Sequence, residues 1–349
     1  MSTLKPRFAQ VGGHEATVTL MSDDSSIVNK PATQSELDWY TVTAPELGGI
    51  LGEWTPEFYG KLTLQGKLAQ DDDAPQQQQD SNGDEPTPEM IVLENLTYRF
   101  NKPNVLDIKL GTQLYDEHAS EEKKQRMAKA AQETTSAQTG VWCSESQHYH
   151  ITSKSLGKSI KVDQLHDGFL HFFDPPSSPF PPSLASAKSN PETLPGQYYI
   201  PVLKAIVKRL DEMVQLLDKL EIRVRGSSLL IVVEGDPETL KSTMERMTND
   251  YMTSNDVTPQ ITSAQDQKNQ RSENNEVDDD DDDDEADSSD IEDEHGNVKP
   301  SALIPFDIKW IDFAHARLAR GEGPDEGLIL GVKTTRQHLQ KIIERLEIS

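Results

Sequence analysis

Apolar residues recur along much of this chain with the spacing of amphipathic helices. Between Ile200 and Leu220 they return every three or four positions, which predicts one long helix. Thr335 to Leu346 has the same spacing and predicts a closing helix. Ser120 is placed to cap a helix that runs to about Gln132, and another helix is expected to begin within Gln34 to Thr41.

Short apolar runs bounded by glycine or polar residues predict β-strands. They lie at 91–93, 105–110, 229–233 and 306–313, and apolar stretches broken by glycines at 7–30 and 47–67 indicate further strands and turns. Strands and helices therefore mix along the chain, and no internal repeat is evident. The pattern predicts a mixed α/β (α+β) fold.

The composition shows that two segments differ from the rest. Only 34% of the 349 residues are hydrophobic, and the formal net charge is −26. Seventeen acidic and three basic residues lie between Asp256 and Lys299, and seven acidic and no basic residues lie between Leu68 and Glu89. Because such tracts repel themselves, we expect disordered acidic insertions at 68–89 and 253–300. A loop rich in proline and serine is expected at 174–196.

Charge and cysteine content restrict the class of protein. The net charge argues against direct nucleic-acid binding, but the two acidic tracts carry most of it, so the remaining body can hold a basic pocket. The single cysteine, Cys143, excludes an internal disulfide framework and fits a reducing compartment. No apolar run approaches the roughly 18 residues of a transmembrane segment, and residues 1–10 lack a secretory core, so an intracellular protein is expected.

Several common catalytic motifs do not occur in the sequence. Gly157-Lys158-Ser159 resembles the end of a phosphate-binding P-loop, but Thr152 stands where its first glycine is required. The His-Arg-Asp and Gly-x-Gly-x-x-Gly signatures of protein kinases, the Gly-x-Ser-x-Gly elbow and zinc-type Cys/His spacing are also missing. A hydrolase or a zinc protein is therefore not indicated.

Three motifs occur in a characteristic order. Pro103 to Gly111 has the form P-x-x-x-D-x-K-x-G, Ser227 to Leu230 reads Ser-Ser-Leu-Leu on a predicted strand, and Ile311 to His315 reads Ile-Asp-Phe-Ala-His. In this order they resemble the inositol polyphosphate kinase family, with supporting matches at 10–14, 29–31, 93–96 and 323–327. The polyaspartate insertion just before the Ile-Asp-Phe motif most resembles the fungal inositol polyphosphate multikinases.

The resemblance implies a two-lobed inositol polyphosphate kinase fold, similar in outline to protein kinases and ATP-grasp enzymes. A small ATP-binding lobe would span residues 1–95, and a large lobe, 96–349, would carry the inositide-binding segment at about 112–173. The implied reaction uses ATP and Mg²⁺ to phosphorylate inositol trisphosphate and tetrakisphosphate, giving the pentakisphosphate. Phosphatidylinositol bisphosphate is a further candidate substrate, and an inositol hexakisphosphate kinase is the enzymatic alternative.

The acidic tract leaves a second class of function open. A run of carboxylates can engage basic nuclear partners such as histones or transcription factors, in which case the protein would be a non-catalytic interaction module. Resemblance to the fungal multikinases implies the same link to transcription regulation. We expect the protein to be located in the nucleus and the cytoplasm, and to be a monomer. The alternative interpretation of the acidic tract is a solvated loop that binds no partner.

The D-x-K motif supplies the candidate catalytic pair. Alternation along a strand would project Asp107 and Lys109 to the same side. Lys109 can neutralise charge on the transferred phosphoryl group, while Asp107 can accept a hydrogen bond from either a substrate hydroxyl or the nucleotide ribose. On spacing alone, a surface Asp/Lys pair is the simpler interpretation.

The resemblance also assigns metal-binding and nucleotide-binding residues. Asp312 would hold Mg²⁺ against the nucleotide phosphates, with the Ser228 hydroxyl near the same metal, because hard cations prefer oxygen ligands. Lys30 would pair with the α- and β-phosphates and with Glu36 on the next helix. Adenine would be read by backbone N–H and C=O groups of Glu94 and Leu96. Taken alone, Ser228 fits strand-edge hydrogen bonding and Asp312 fits a cap or turn.

The substrate side should be basic, because inositol phosphates carry several negative charges. The helix after Ser120 offers four basic residues, Lys123, Lys124, Arg126 and Lys129. The alternative interpretation is that they form an ordinary solvated helix face. The resemblance adds three more candidates, Lys109, Lys158 and His315. Leu156 and Lys158 stand where the family pattern has Tyr and Arg. Since lysine lacks the bidentate geometry of arginine, these departures affect substrate positioning.

Overall fold

The computed structural model describes most of the chain that shows helix or strand periodicity. The described residues are 18–20, 25–63, 89–117, 119–139, 141–147, 150–151, 159–173, 196–253, 291–292, 298–299 and 303–348. Lys158, nearly all of the 68–89 and 174–196 segments and most of 253–300 lie outside them. Among the described residues, no helix is long and apolar enough to cross a membrane.

Two antiparallel sheets form the framework. The first has the strand order β1-β2-β4-β3 and the second has the order β12-β9-β5-β6-β7, while β8 pairs with β13 and β10 with β11. The strands are β1 Thr19–Leu20, β2 Ile27–Pro31, β3 Phe58–Thr63, β4 Glu89–Glu94, β5 Pro103–Leu110, β6 Val141–Gln147, β7 His150–Ile151, β8 Ile222–Val224, β9 Ser228–Glu234, β10 Ile291–Glu292, β11 Val298–Lys299, β12 Phe306–Ile311 and β13 Ala316–Leu318.

Helices follow the periodic segments, and the mixed α/β prediction is confirmed. The helix expected from Gln34 is a short α-helix that continues as a π-helix. The helices are α1 Gln34–Asp38, the π-helix Trp39–Thr43, α2 Ala44–Glu46, α3 Glu121–Glu133, α4 Ser136–Thr139, α5 Leu165–Phe173, α6 Ile200–Leu217, α7 Pro237–Thr253 and α8 Glu326–Ile348, with 3₁₀ turns at Val162–Gln164 and Gly196–Tyr199.

The second sheet has one face in the core and one mixed face. Alternate residues of β5, β9 and the edge strand β12 belong to the main apolar core: Leu106, Ile108, Leu110, Leu229, Ile231, Val233, Phe306, Ile308 and Trp310. Because side chains alternate along a strand, the residues between them share the opposite face. Strand register places Asp107 beside Leu230, and Lys109 beside Ser228, which in turn pairs with Ile311. This mixed face therefore brings together predicted site residues from β5 and β9, beside the end of β12.

Helix α8 begins well before the predicted start at Thr335, because a side chain caps it. Oδ1 of Asp325 accepts hydrogen bonds from the N–H groups of Gly327 (3.0 Å) and Leu328 (3.3 Å), and its Oδ2 accepts one from Arg225. Such a cap satisfies donors that the first turn leaves without helical partners. The spacing of apolar residues does not reveal the cap by Asp325, so the predicted helix start at Thr335 was wrong.

Gly327 allows the start of α8 to approach the segment that follows β5. A Cβ built at this position would lie 2.7 Å from Oγ1 and 3.1 Å from the backbone N of Thr112. We expect Gly327→Ala to lower the free energy of unfolding by about 1–3 kcal/mol, despite the better helix propensity of alanine. Urea denaturation measures this, with Lys333→Ala, at an exposed position of the same helix, as the control. Equal stability of the two variants would contradict the close approach.

A half-buried pair of histidines is expected to make the stability of the protein depend on pH. The ring of His338 in α8 lies 5.4 Å from Phe169 and 5.8 Å from His166, both in α5, between ring centroids. Burial, with the charges of His166 and Lys341, lowers the pKa of His338 from 6.5 to about 4, and burial also lowers the pKa of His166.

The unfolded chain therefore binds more protons than the folded one at mildly acidic pH. We expect stability to be lost progressively as the pH falls from about 6.5 to about 4. Thermal unfolding measured across this range should show the loss, and His338→Gln should reduce its slope. An identical slope in the variant would exclude His338 as the source.

Candidate active site

Four side chains from three elements and one turn meet in an ion-pair network. Nζ of Lys30, on β2, lies 2.8 Å from Oε1 of Glu36 in α1 and 2.8 Å from Oδ1 of Asp312. Nζ of Lys109, on β5, lies 2.9 Å from the other oxygen, Oδ2, of Asp312. The Asp312 carboxylate thus bridges a lysine from each sheet. The predicted pairing of Lys30 with Glu36 is confirmed.

The turn after β12 orients Asp312 toward both lysines. Its backbone has φ of +68°, a left-handed conformation that aspartate and asparagine tolerate better than most residues. The next N–H, of Phe313, donates to Oε1 of Glu36 at 3.3 Å. The Phe313 ring stacks on Trp39 at 4.6 Å and meets Trp310 edge-on at 5.2 Å, between centroids. Aromatic packing and a buried carboxylate therefore hold this turn in place.

Asp107 and Lys109 project to the same side of β5, as the D-x-K spacing predicts. Nζ of Lys109 lies 4.0 Å from Oδ2 of Asp107 and 2.5 Å from Oγ of Ser228. The Asp107 side chain is only 1% exposed, so it lies beneath the lysine rather than on an open surface. The simple interpretation of a surface Asp/Lys pair is excluded by this burial.

The charges of the network stabilise one another. Burial alone would lower the pKa of Lys109, but Asp107 and Asp312 raise that pKa above its ordinary value. Lys30 shows the same balance, with Asp312 and Glu36 as its acidic partners. Burial would raise the pKa of Asp312, yet the two lysines hold it well below its usual range. Both lysines and Asp312 are therefore charged at neutral pH.

The oxygen atoms beside Lys109 suit a hard divalent cation. The carboxylate of Asp312 and the hydroxyl of Ser228 both lie within hydrogen-bond distance of the same ammonium group. Mg²⁺ and Mn²⁺ prefer oxygen donors and take only one or two from the protein when a nucleotide supplies the rest. The residues predicted to hold a metal therefore fit that role chemically.

An apolar surface lies next to these charged groups where the chain passes from the first sheet to the second. Leu96, in this crossing, packs in a small cluster with Leu230 and Ile311 of the mixed face. The N–H of Glu94 already donates to the carbonyl of Glu57 at 3.0 Å, so an adenine contact at Glu94 would have to use its carbonyl. A cavity of about 360 Å³ adjoins Glu94 and Tyr40.

Four of the basic residues predicted for the substrate, Lys123, Lys124, Arg126 and Lys129, lie on a separate helix, α3. Ser120 caps α3 as predicted, because its hydroxyl accepts the N–H of Lys123 at 3.3 Å. The basic residues are partly or fully exposed, and two form ion pairs within the helix, Lys124 with Glu121 at 2.9 Å and Lys129 with Glu133 at 3.7 Å. Lys158 lies outside the described residues.

His315, the last predicted substrate residue, faces an acidic partner that the motifs do not predict. Its Nδ1 lies 3.2 Å from Oδ2 of Asp116, and its side chain is 45% exposed. Both residues line a cavity of about 370 Å³. A pairing across almost 200 positions has no signal in local sequence patterns, which explains why Asp116 is missing from the predicted site.

A family model described as inositol polyphosphate kinase matches residues 90–340 of this chain. The chain belongs to the inositol polyphosphate kinase family. The match contains Asp107, Lys109, Ser228 and Asp312 and begins after Lys30. The predicted family and the predicted enzyme class, an ATP-dependent inositol polyphosphate kinase, are confirmed.

Relatives of known name extend the likeness over nearly the whole chain. The inositol polyphosphate multikinase of Saccharomyces cerevisiae is 29% identical over 93% of this chain and 94% of its own length. Human inositol hexakisphosphate kinase 1 is 23% identical over 73% of this chain and 52% of its own. A crystal structure of the S. cerevisiae inositol phosphate multikinase with ADP and Mn²⁺ matches with a TM-score of 0.58 at 24% identity, covering 91% of this kinase and 99% of that chain. The predicted inositol polyphosphate kinase fold is confirmed.

Proposed function

We propose that this kinase is a multikinase that transfers the γ-phosphoryl group of ATP to hydroxyl groups of inositol trisphosphate and tetrakisphosphate. Likeness to the yeast multikinase over 93% of the chain supports this branch of the family. The observation that carries the chemistry is the Asp312 carboxylate, which holds Lys30 and Lys109 at one point. Phosphoryl transfer depends on such positioning and on charge neutralisation.

The two lysines are prepared to bind phosphate oxygens. Neighbouring carboxylates keep both ammonium groups charged, and each can exchange a carboxylate oxygen for a phosphate oxygen when the nucleotide enters. A divalent cation held by Asp312 and Ser228 would supply further neutralisation of phosphate charge, as Mg²⁺ does in other kinases. The yeast multikinase structure contains Mn²⁺, which supports this assignment.

Asp107 has two roles in the proposal. Its buried carboxylate helps to keep Lys109 protonated, and it would accept a hydrogen bond from a hydroxyl of the acceptor or of the ribose once Lys109 moves toward the phosphates and uncovers it. The apolar cluster formed by Leu96, Leu230 and Ile311 would contact the base. The basic face of α3 would then bind the phosphates of the inositol, and His315 would contact the substrate beside them.

The test supplies purified full-length protein with radiolabelled ATP, Mg²⁺ and one inositol phosphate at a time. Label should enter the trisphosphate and the tetrakisphosphate, with the pentakisphosphate accumulating, and NMR of the products identifies the positions. Vesicles containing phosphatidylinositol bisphosphate test the lipid substrate separately. Preferential labelling of inositol hexakisphosphate would contradict the multikinase proposal and favour the alternative branch.

A further inference from the structure

An acidic pair occupies the wall of the cavity beside His315. Asp116 contacts His315 at 3.2 Å, and Glu117 pairs with Arg317. His315 and Arg317 follow Asp312 closely in the chain, so this wall continues directly from the ion-pair network. Asp116 and Glu117 lie in the segment that joins Lys109 on β5 to the basic helix α3. Two negative charges therefore stand where the proposed substrate path passes from the network to that helix.

The arginines around this cavity already have acceptors. Arg225 pairs with Asp325, and Arg317 pairs with Glu322 as well as with Glu117. The guanidinium of Arg223 donates to the backbone carbonyls of Ile222, Glu322 and Gly323 at 2.8–2.9 Å. A phosphate group entering here would have to displace these acceptors while it faces the carboxylate of Asp116. The positive charge of the arginines that line the cavity is therefore balanced.

We propose that Asp116, together with Glu117, is a specificity determinant that disfavours a phosphate at this position of the bound inositol. The inference rests on the proposed function, because it takes His315 to face the substrate. A hydroxyl can donate a hydrogen bond to Asp116, whereas a phosphate is repelled by it. An inositol trisphosphate can present a hydroxyl here. Inositol hexakisphosphate carries a phosphate on every ring carbon, so each of its orientations places one against Asp116.

The test compares two constants measured on one preparation of the full-length enzyme. They are the inhibition constant of inositol hexakisphosphate, as a competitor, and the KM for inositol trisphosphate. In Asp116→Asn and in Asp116→Asn/Glu117→Gln, the ratio of the inhibition constant to KM should fall about tenfold or more, which corresponds to roughly 1.4 kcal/mol. Asp116→Glu keeps the charge and should keep the wild-type ratio. Because both constants come from the same sample, a partly unfolded fraction does not change the ratio.

Glu347→Gln is the control for a general change of charge. Glu347 pairs with Lys204 at 2.7 Å near the far end of α8, about 30 Å along that helix from Gly327. This variant removes one negative charge and should leave the ratio unchanged. An equal fall of the ratio in Glu347→Gln would overturn the inference. So would the absence of a fall in both Asp116→Asn and Asp116→Asn/Glu117→Gln.

Calorimetric titration of inositol hexakisphosphate without ATP separates this inference from the proposed function. Asp116→Asn should bind it about tenfold or more tightly than wild type does. A wild-type enzyme that does not phosphorylate the trisphosphate would contradict the proposed function. Normal turnover of the trisphosphate with unchanged binding of the hexakisphosphate in the variant would contradict only the role of Asp116.

Discussion

Replacing Asp312 by asparagine is expected to lower kcat for phosphoryl transfer by at least about 10³-fold. The Asp312 carboxylate is the common partner of Lys30 and Lys109 and the proposed ligand of the divalent cation. Asparagine has nearly the same shape and tolerates the left-handed backbone that φ of +68° requires. The substitution therefore removes the charge and keeps the turn.

Turnover of labelled ATP onto inositol trisphosphate measures the effect, and circular dichroism and thermal unfolding report on the fold. Asp211→Asn is a matched control, because Asp211 loses only a half-exposed ion pair with Arg336 between α6 and α8. It should keep kcat within about twofold of wild type, as expected for a surface pair. Asp312→Asn enzyme with wild-type turnover would show that the proposed metal site is wrong.

The repeating elements of this fold could be predicted because burial leaves a periodic trace in the sequence. Helix α6 and strand β9 lie close to the predicted segments, since almost every apolar position in them faces the core. The side shared by Asp107 and Lys109 also follows from strand alternation alone. These features depend on neighbours only a few positions apart.

Features that depend on single polar contacts could not be predicted in this way. The early start of α8 depends on the Asp325 cap, and Asp325 is held in turn by Arg225, 100 positions away. In the π-helix Trp39–Thr43, the Trp39 ring packs on Phe313, which belongs to a distant turn. Neither contact has a local spacing that a sequence pattern can register.

The candidate site also depends on contacts between residues that are far apart in the sequence. Lys30 and Asp312 are 282 positions apart, so only a likeness to a known family could bring them into one site before the structure did. Asp116 lies outside the motifs that carry that likeness, and its contact with His315 emerges only from the fold. A contact of this kind is therefore harder to predict than the residues that the family motifs carry.

Replacing Lys109 by methionine should be almost as damaging to catalysis, with kcat lowered by about 10²–10⁴-fold. Methionine keeps much of the length of the side chain but loses the ammonium group that contacts Ser228 and Asp312. Lys109→Arg keeps the charge with a different shape, and should retain more activity than methionine if charge neutralisation is the main role.

The same substitution should also destabilise the protein, which separates Lys109 from a residue that acts only on substrate. Without this ammonium, the carboxylate of Asp107 stays 1% exposed beside a second carboxylate, Asp312. Leaving a buried charge without its partner costs about 3–5 kcal/mol. Asp312→Asn added to Lys109→Met should recover part of this loss, because it removes one of the two repelling charges. Urea denaturation of both single variants and the double variant measures the coupling, and strictly additive losses would show that the network does not act as a unit.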